Sequence, residues 1–153
     1  MSENELTGGT AEDRAAILAQ HRAYLEANAD MDWERLQGIW SGAPDAFFFN
    51  LNGHTYRGRD HWTALWKHLK GNVTNGIWEP YDLGGTVTGD LAVVWCHRKT
   101  YYKWLGAAKD PGRQDERSSV SRSTMVFRKE DGTWRVVHVH FSQASELPRP
   151  GGV

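Results

Sequence analysis

The chain has 153 residues, enough for one domain whose core needs no disulfide staples. Eighteen Lys and Arg against nineteen Asp and Glu leave a formal charge of −1 without a sustained run of one sign, which argues against a nucleic-acid partner. The start is polar and acidic, no apolar stretch reaches the about 18 residues of a membrane span, and the one cysteine, Cys96, rules out an internal disulfide. These features predict a cytoplasmic domain with no membrane contact.

Residues 1–10 are polar with a Gly-Gly pair and are expected to be disordered. Thr10 and Asp13 fit a helix-capping pattern, and Ile17, Leu18, His21, Tyr24, Leu25 and Asn28 recur at helical spacing, so 11–28 reads as an amphipathic helix. Asp30 and Asp32 offer caps for a second helix bearing Trp33, Leu36 and Trp40, which the run Ser41-Gly42-Ala43-Pro44 ends. A short strand over 46–51, the hairpin signal Asn52-Gly53 and a return strand over 54–57 follow. Asp60 is placed to cap a third helix with Trp62, Leu65, Trp66 and Leu69 on one face, and Gly71-Asn72 and Asn75-Gly76 mark loops. Segments 77–88, 91–104, 118–129 and 134–143 are strand-like, with a polar loop over 106–117 and an irregular tail over 148–153. Helices first and antiparallel strands later predict an α+β fold.

Eight tryptophans supply large apolar surfaces whose N–H groups need partners when buried, which suits pocket walls and subunit interfaces. Cys96, on an apolar strand, is expected to be a buried, inert thiol.

The element order, the turn Tyr56-Arg57-Gly58-Arg59 and the ending Asp131-Gly132-Thr133-Trp134-Arg135-Val136-Val137-His138-Val139-His140-Phe141-Ser142 resemble the NTF2-like superfamily. The branch resembled is that of the SnoaL-like proteins and the association domain of calcium/calmodulin-dependent kinase II. The resemblance implies a domain over 11–147: three N-terminal helices packed on a strongly curved antiparallel sheet, a cone around one pocket, in dimers or larger assemblies. Fold does not give function, because isomerases, dehydratases, cyclases and plain binding modules share this frame.

By that resemblance Tyr24 stands where ketosteroid isomerases place an oxyanion-hole tyrosine. Asn50 stands at the position of their general-base aspartate and Thr124 near their second oxyanion donor, so classical isomerisation is disfavoured. Arg98 matches a pocket arginine of the kinase domain, whereas Met125 and Phe141 replace two others. Strand alternation sets Arg98 on one face with Val94, Cys96, Thr100 and Tyr102. It likewise puts Val137, Val139 and Phe141 toward the pocket and Trp134, His138 and His140 outside, unless a bulge inverts the pattern. His21, three residues before Tyr24, is a candidate proton shuttle. The candidate catalytic residues are therefore Tyr24 and His21, and the candidate substrate-binding residues are Arg98, Asn50, Tyr102, Thr124, Phe141 and Trp66. His97, His138 and His140 have no carboxylate at matching spacing, so no metal is expected, nor any cofactor; His138 and His140 are expected at an interface.

Two functions follow. One is a SnoaL-like, cofactor-independent enzyme performing a cyclisation, isomerisation or dehydration on an apolar or aromatic substrate, working as a homodimer through its outer sheet face. The alternative is a non-catalytic ligand-binding or assembly module resembling the kinase domain.

Overall fold

A computed structural model describes residues 4–106 and 116–152, so most of the expected loop over 106–117 lies outside the described residues. The chain order is β1 (Asn4–Gly8), α1 (Ala11–Asp30), α2 (Trp33–Ile39), β2 (Phe47–Phe49), β3 (Thr55–Arg57), α3 (Gly58–Leu69), β4 (Val73–Asn75), β5 (Glu79–Thr88), β6 (Leu91–Trp104), β7 (Glu116–Glu130) and β8 (Thr133–Gln143).

The capping chemistry read from the sequence holds for the first two helices. The Asp13 amide donates to Thr10 Oγ1 at 3.0 Å, and the Arg35 amide donates to Asp32 Oδ1 at 3.3 Å. Helix α1 stops at Met31, which adopts a left-handed conformation (φ 51°) and sends its amide back to the last turn. Helix α3 differs from expectation. It begins at Gly58, so Asp60 lies inside the first turn, where a negative charge suits the helix dipole, and no side chain caps the end.

The strands form one open sheet in the order β1-β5-β6-β7-β8-β2-β3, with β4 pairing β6 off that path. The expectation of a purely antiparallel sheet is corrected in two places. Strand β2 joins β8 in parallel (Phe47 opposite His138), and β1 joins β5 in parallel. The β1 pairing also overturns the expected disorder of residues 1–10 over Asn4–Gly8. Leu6 is buried in the core, and facing it Gly85 leaves the space: a Cβ there would meet the Val93 carbonyl oxygen and the Leu6 side chain. Five backbone pairings and one buried leucine thus order a stretch whose composition reads as a tail.

Two irregularities bend the sheet. In β5 the register shifts between Tyr81 and Gly84, with Asp82 at φ 52°. Between β7 and β8 the register shifts at Val137, since Val126 faces His138 while Phe127 faces Val136. Beyond this bulge Val139 and Phe141 point inward and His140 outward, as expected. Before it the pattern inverts, so Trp134, expected outside, is buried and donates its Nε1 proton to Asp13 on α1 at 3.0 Å.

The core between the helices and the concave sheet face is dominated by rings. Tyr24, Trp40, Trp62 and Trp66 follow one another at centroid spacings of 5.4 Å, each pair edge to face. Burying one indole removes 150–250 Å² from water, about 4–6 kcal/mol by area. Among the described residues the Nε1 atoms of Trp40, Trp62 and Trp66 are buried without a partner, a cost of about 1–3 kcal/mol each. Area wins, but three unmet donors stand in one interior.

Candidate functional site

Strand β6 alternates strictly, so Val94, Cys96, Arg98 and Thr100 face the interior while Trp95, His97 and Lys99 face out. This places a guanidinium in the core: Arg98 is 0 % exposed. Its Nη1 donates to Tyr24 Oη at 2.9 Å and its Nε to Ser121 Oγ at 3.1 Å. Its carbon lies 4.3 Å from the Phe141 ring centre and 4.8 Å from that of Trp78, a cation held between two aromatic faces. Among the described residues no carboxylate pairs with it, and Nη2 has no hydrogen-bond partner.

Tyr24 accepts from Arg98, and among the described residues nothing accepts its own proton. Burial raises its pKa, with the Arg98 charge and hydrogen bond working in the opposite direction, so it stays a phenol with a proton to donate. His21, three residues earlier, has Nε2 3.9 Å from Cys96 Sγ. Burial, aided by the positive charges of Arg98 and Arg22, brings the His21 pKa down to about 4. Burial likewise lifts the Cys96 thiol to about 11, which makes it unreactive, as expected.

Beside this cluster lies a cavity of about 680 Å³. Its walls include Asn50, Tyr56, Trp66, Trp78 and Tyr102, with Asn28 at the end of α1. Trp78 connects the two regions. It stands on the short link between β4 and β5, lines the cavity, covers Arg98, and donates Nε1 to the Tyr101 carbonyl at 3.0 Å.

Of the residues singled out from the sequence, Asn50, Tyr102 and Trp66 line the cavity. Tyr24, His21, Arg98 and Phe141 form the buried cluster behind Trp78 instead. Thr124 is corrected. It is exposed on the outer sheet face between Trp95 and His140, because the inward positions of β7 are Ser121, Ser123 and Met125. Asn28 and Trp78 were missed. Asn28 was within reach of sequence reasoning, since it lies one helical turn beyond Tyr24 on the same face. Trp78 was not, because a lone indole in a connector carries no periodicity. Among the described residues no three His, Cys, Asp or Glu side chains are placed to hold a metal ion.

The SnoaL-like domain family matches residues 17–146 of this sequence. Among curated proteins no match is found. Solved structures with the same fold include a candidate aromatic ring hydroxylase from Novosphingobium aromaticivorans, 18 % identical over 92 % of this chain and 94 % of that one, with a TM-score of 0.75. A candidate dehydratase of the NTF2-like family from Streptomyces avermitilis is 20 % identical over 87 % and 97 %, with a TM-score of 0.71. A protein with a cystatin-like fold from Caulobacter vibrioides is 22 % identical over 89 % and 92 %, with a TM-score of 0.70.

The buried imidazole sets a pH dependence. Between the ordinary value of 6.5 and about 4, unfolded chains bind a proton at His21 that folded chains refuse. Stability is therefore unaffected by this group above pH 6.5 and falls as the pH drops toward 4, by at most about 3 kcal/mol. His21→Gln should flatten the melting temperature across that window. An unchanged slope in the variant would show that His21 is not the group responsible.

Proposed function

The chain belongs to the SnoaL-like family of the NTF2-like superfamily, and from that premise we propose that it is a small-molecule pocket enzyme needing no cofactor. The reaction is a cyclisation, isomerisation or dehydration of an aromatic or apolar substrate bearing an oxygen. The carrying observation is an aromatic-walled cavity one of whose rings, Trp78, covers a buried guanidinium that is hydrogen-bonded to the Tyr24 phenol. Dehydration is also the activity ascribed to the Streptomyces avermitilis protein of this fold.

In this proposal Trp78 swings aside and the substrate oxygen comes within reach of Tyr24 and Arg98. As the substrate loses a proton next to its carbonyl, negative charge grows on that oxygen. The Tyr24 proton and the Arg98 charge then stabilise it in a water-poor site. His21, neutral and beside Tyr24, is the proton acceptor within the cluster, although a pKa of about 4 makes it a weak one until charge develops nearby.

One observation favours the alternative, a binding or assembly module: neither Tyr24 nor His21 belongs to the cavity wall. Tyr24→Phe separates the two. It removes the acceptor of Arg98 Nη1, a stability loss of about 1–3 kcal/mol. For an enzyme, turnover of a ketone substrate found by screening should fall about a hundredfold or more. Equal losses in activity and folded fraction would make Tyr24 a core residue only.

The proposal includes a cytoplasmic homodimer joined through the outer sheet face. There Phe47 and Phe49 pack around His138, His140 stands beside Phe49, and Trp95 is 47 % exposed. His138 Nδ1 meets the Phe47 carbonyl at 2.6 Å, so an unshielded carboxylate at this position would sit in a packed surface. His138→Glu should weaken association in sedimentation equilibrium. An unaltered oligomer would place the interface elsewhere.

A further inference from the structure

We propose that the cavity receives an organic anion, a carboxylate on a planar aromatic body, with Arg98 and Asn28 taking the charged end. This rests on the cavity being a ligand site and adds the ligand's charge and the residues that read it.

Three independent observations carry it. The first is a missing counter-charge. Among the described residues no Asp or Glu lines the cavity. The Arg98 guanidinium lies behind that wall, and its hydrogen-bond partners Tyr24 and Ser121 carry no negative charge. The faces of Trp78 and Phe141 attract the cation but accept none of its in-plane N–H groups.

The second is a surplus of unmet donors. Among the described residues Arg98 Nη2, both polar atoms of the Asn28 amide and Trp66 Nε1 are buried with no partner. Asn28 and Trp66 line the cavity, and both side chains are almost wholly enclosed, at 0 % and 5 % exposure. Nη2 brings two protons, the amide nitrogen two and the indole one, against a single acceptor, Asn28 Oδ1. A complementary ligand is rich in acceptors. Buried polar groups of this kind are ordinarily satisfied, so several together at one wall point to an occupant.

The third is the continuity of the polar seam. On α1, Tyr24 and Asn28 are one turn apart on one face. On β6, Arg98 and Thr100 are successive inward positions, and Thr100 lines the cavity. The Tyr24–Arg98 layer thus continues into an Asn28–Thr100 layer, and Trp78, which covers Arg98 on the cavity side, turns aside as the charged end reaches the guanidinium. A carboxylate offers two coplanar oxygens to a guanidinium edge, the geometry in which arginine is most selective. The remaining walls, Tyr56, Trp66, Trp78 and Tyr102, offer flat apolar surface for an aromatic body.

The test compares naphthoate with its neutral isostere naphthamide by isothermal titration calorimetry on the full chain. Naphthoate should bind at least about tenfold more tightly, the usual margin of one charge-assisted hydrogen bond. Arg98→Met should abolish the preference by weakening naphthoate alone, and Asn28→Leu should reduce it severalfold. Should Arg98→Met fail to fold, Arg98→Lys, which keeps charge but loses the fork, should also lower it. Arg117→Gln, at the exposed rim, should leave the preference intact. If it disappears there, the charge is read at the rim and the assignment to Arg98 is wrong. Equal binding of both probes to the unaltered chain would overturn the anion while leaving a ligand cavity. Binding of neither would overturn the cavity reading and this inference with it.

Discussion

A guanidinium shut inside the domain, with no carboxylate beside it among the described residues, is the constraint on which the other interior contacts depend. Removing such a group from water is costly unless its protons and its charge are met locally. Arg98 is met by a phenol from α1, a hydroxyl from β7 and ring faces from β8 and the β4–β5 link. Each comes from a different element, so the cation ties the first helix to three parts of the sheet. Hydrogen bonds to a charged group contribute about 1.5–3 kcal/mol apiece, enough to fix where α1 lies across the sheet. Burial, acting against the pull of the Arg98 charge and hydrogen bond, keeps Tyr24 undissociated, and among the described residues its proton has no acceptor.

The tryptophans explain why the cavity stands where it does. Trp40 and Trp62 fill the interior that a cone would otherwise leave open, Trp40 edge to face with Tyr24 and Phe48 and Trp62 stacked on Phe48. The open volume is displaced toward the end where α1 finishes and β7 begins, and its walls come from α1, α3, β6 and β7. Trp78 lines that volume and covers Arg98, so reaching the guanidinium from the cavity requires this ring to move.

Much of this was legible in the sequence. Thr10 with Asp13, and Asp32 before Trp33, mark two helix starts because capping is a local interaction. Alternation on β6 set Arg98, Thr100 and Tyr102 on one face because nothing interrupts that strand's pairing with β7. What escaped depends on distant partners. Strand β1 has a single buried apolar residue, Leu6, and exists because Gly85, some eighty positions later, makes room for it. Strand β4 is three residues long and reads as a turn. The bulge at Val137 has no composition of its own, so Trp134 was set on the wrong face while Phe141 beyond it was right. Thr124 was placed by position in a related fold, and alternation on its own strand moves it outside.

The central claim is that Arg98, though buried, belongs to the ligand site. The most direct measurement is the arginine side-chain proton–nitrogen NMR spectrum, with the Arg98 signal identified by its loss in Arg98→Lys, recorded before and after adding naphthoate. The account predicts a large, selective shift of the Arg98 Nε–H and slower solvent exchange of its Nη protons, with surface arginines such as Arg35 unmoved. A spectrum in which Arg98 stays in place while the rim residue Arg117 shifts would contradict it, and would make the buried guanidinium a purely structural cation.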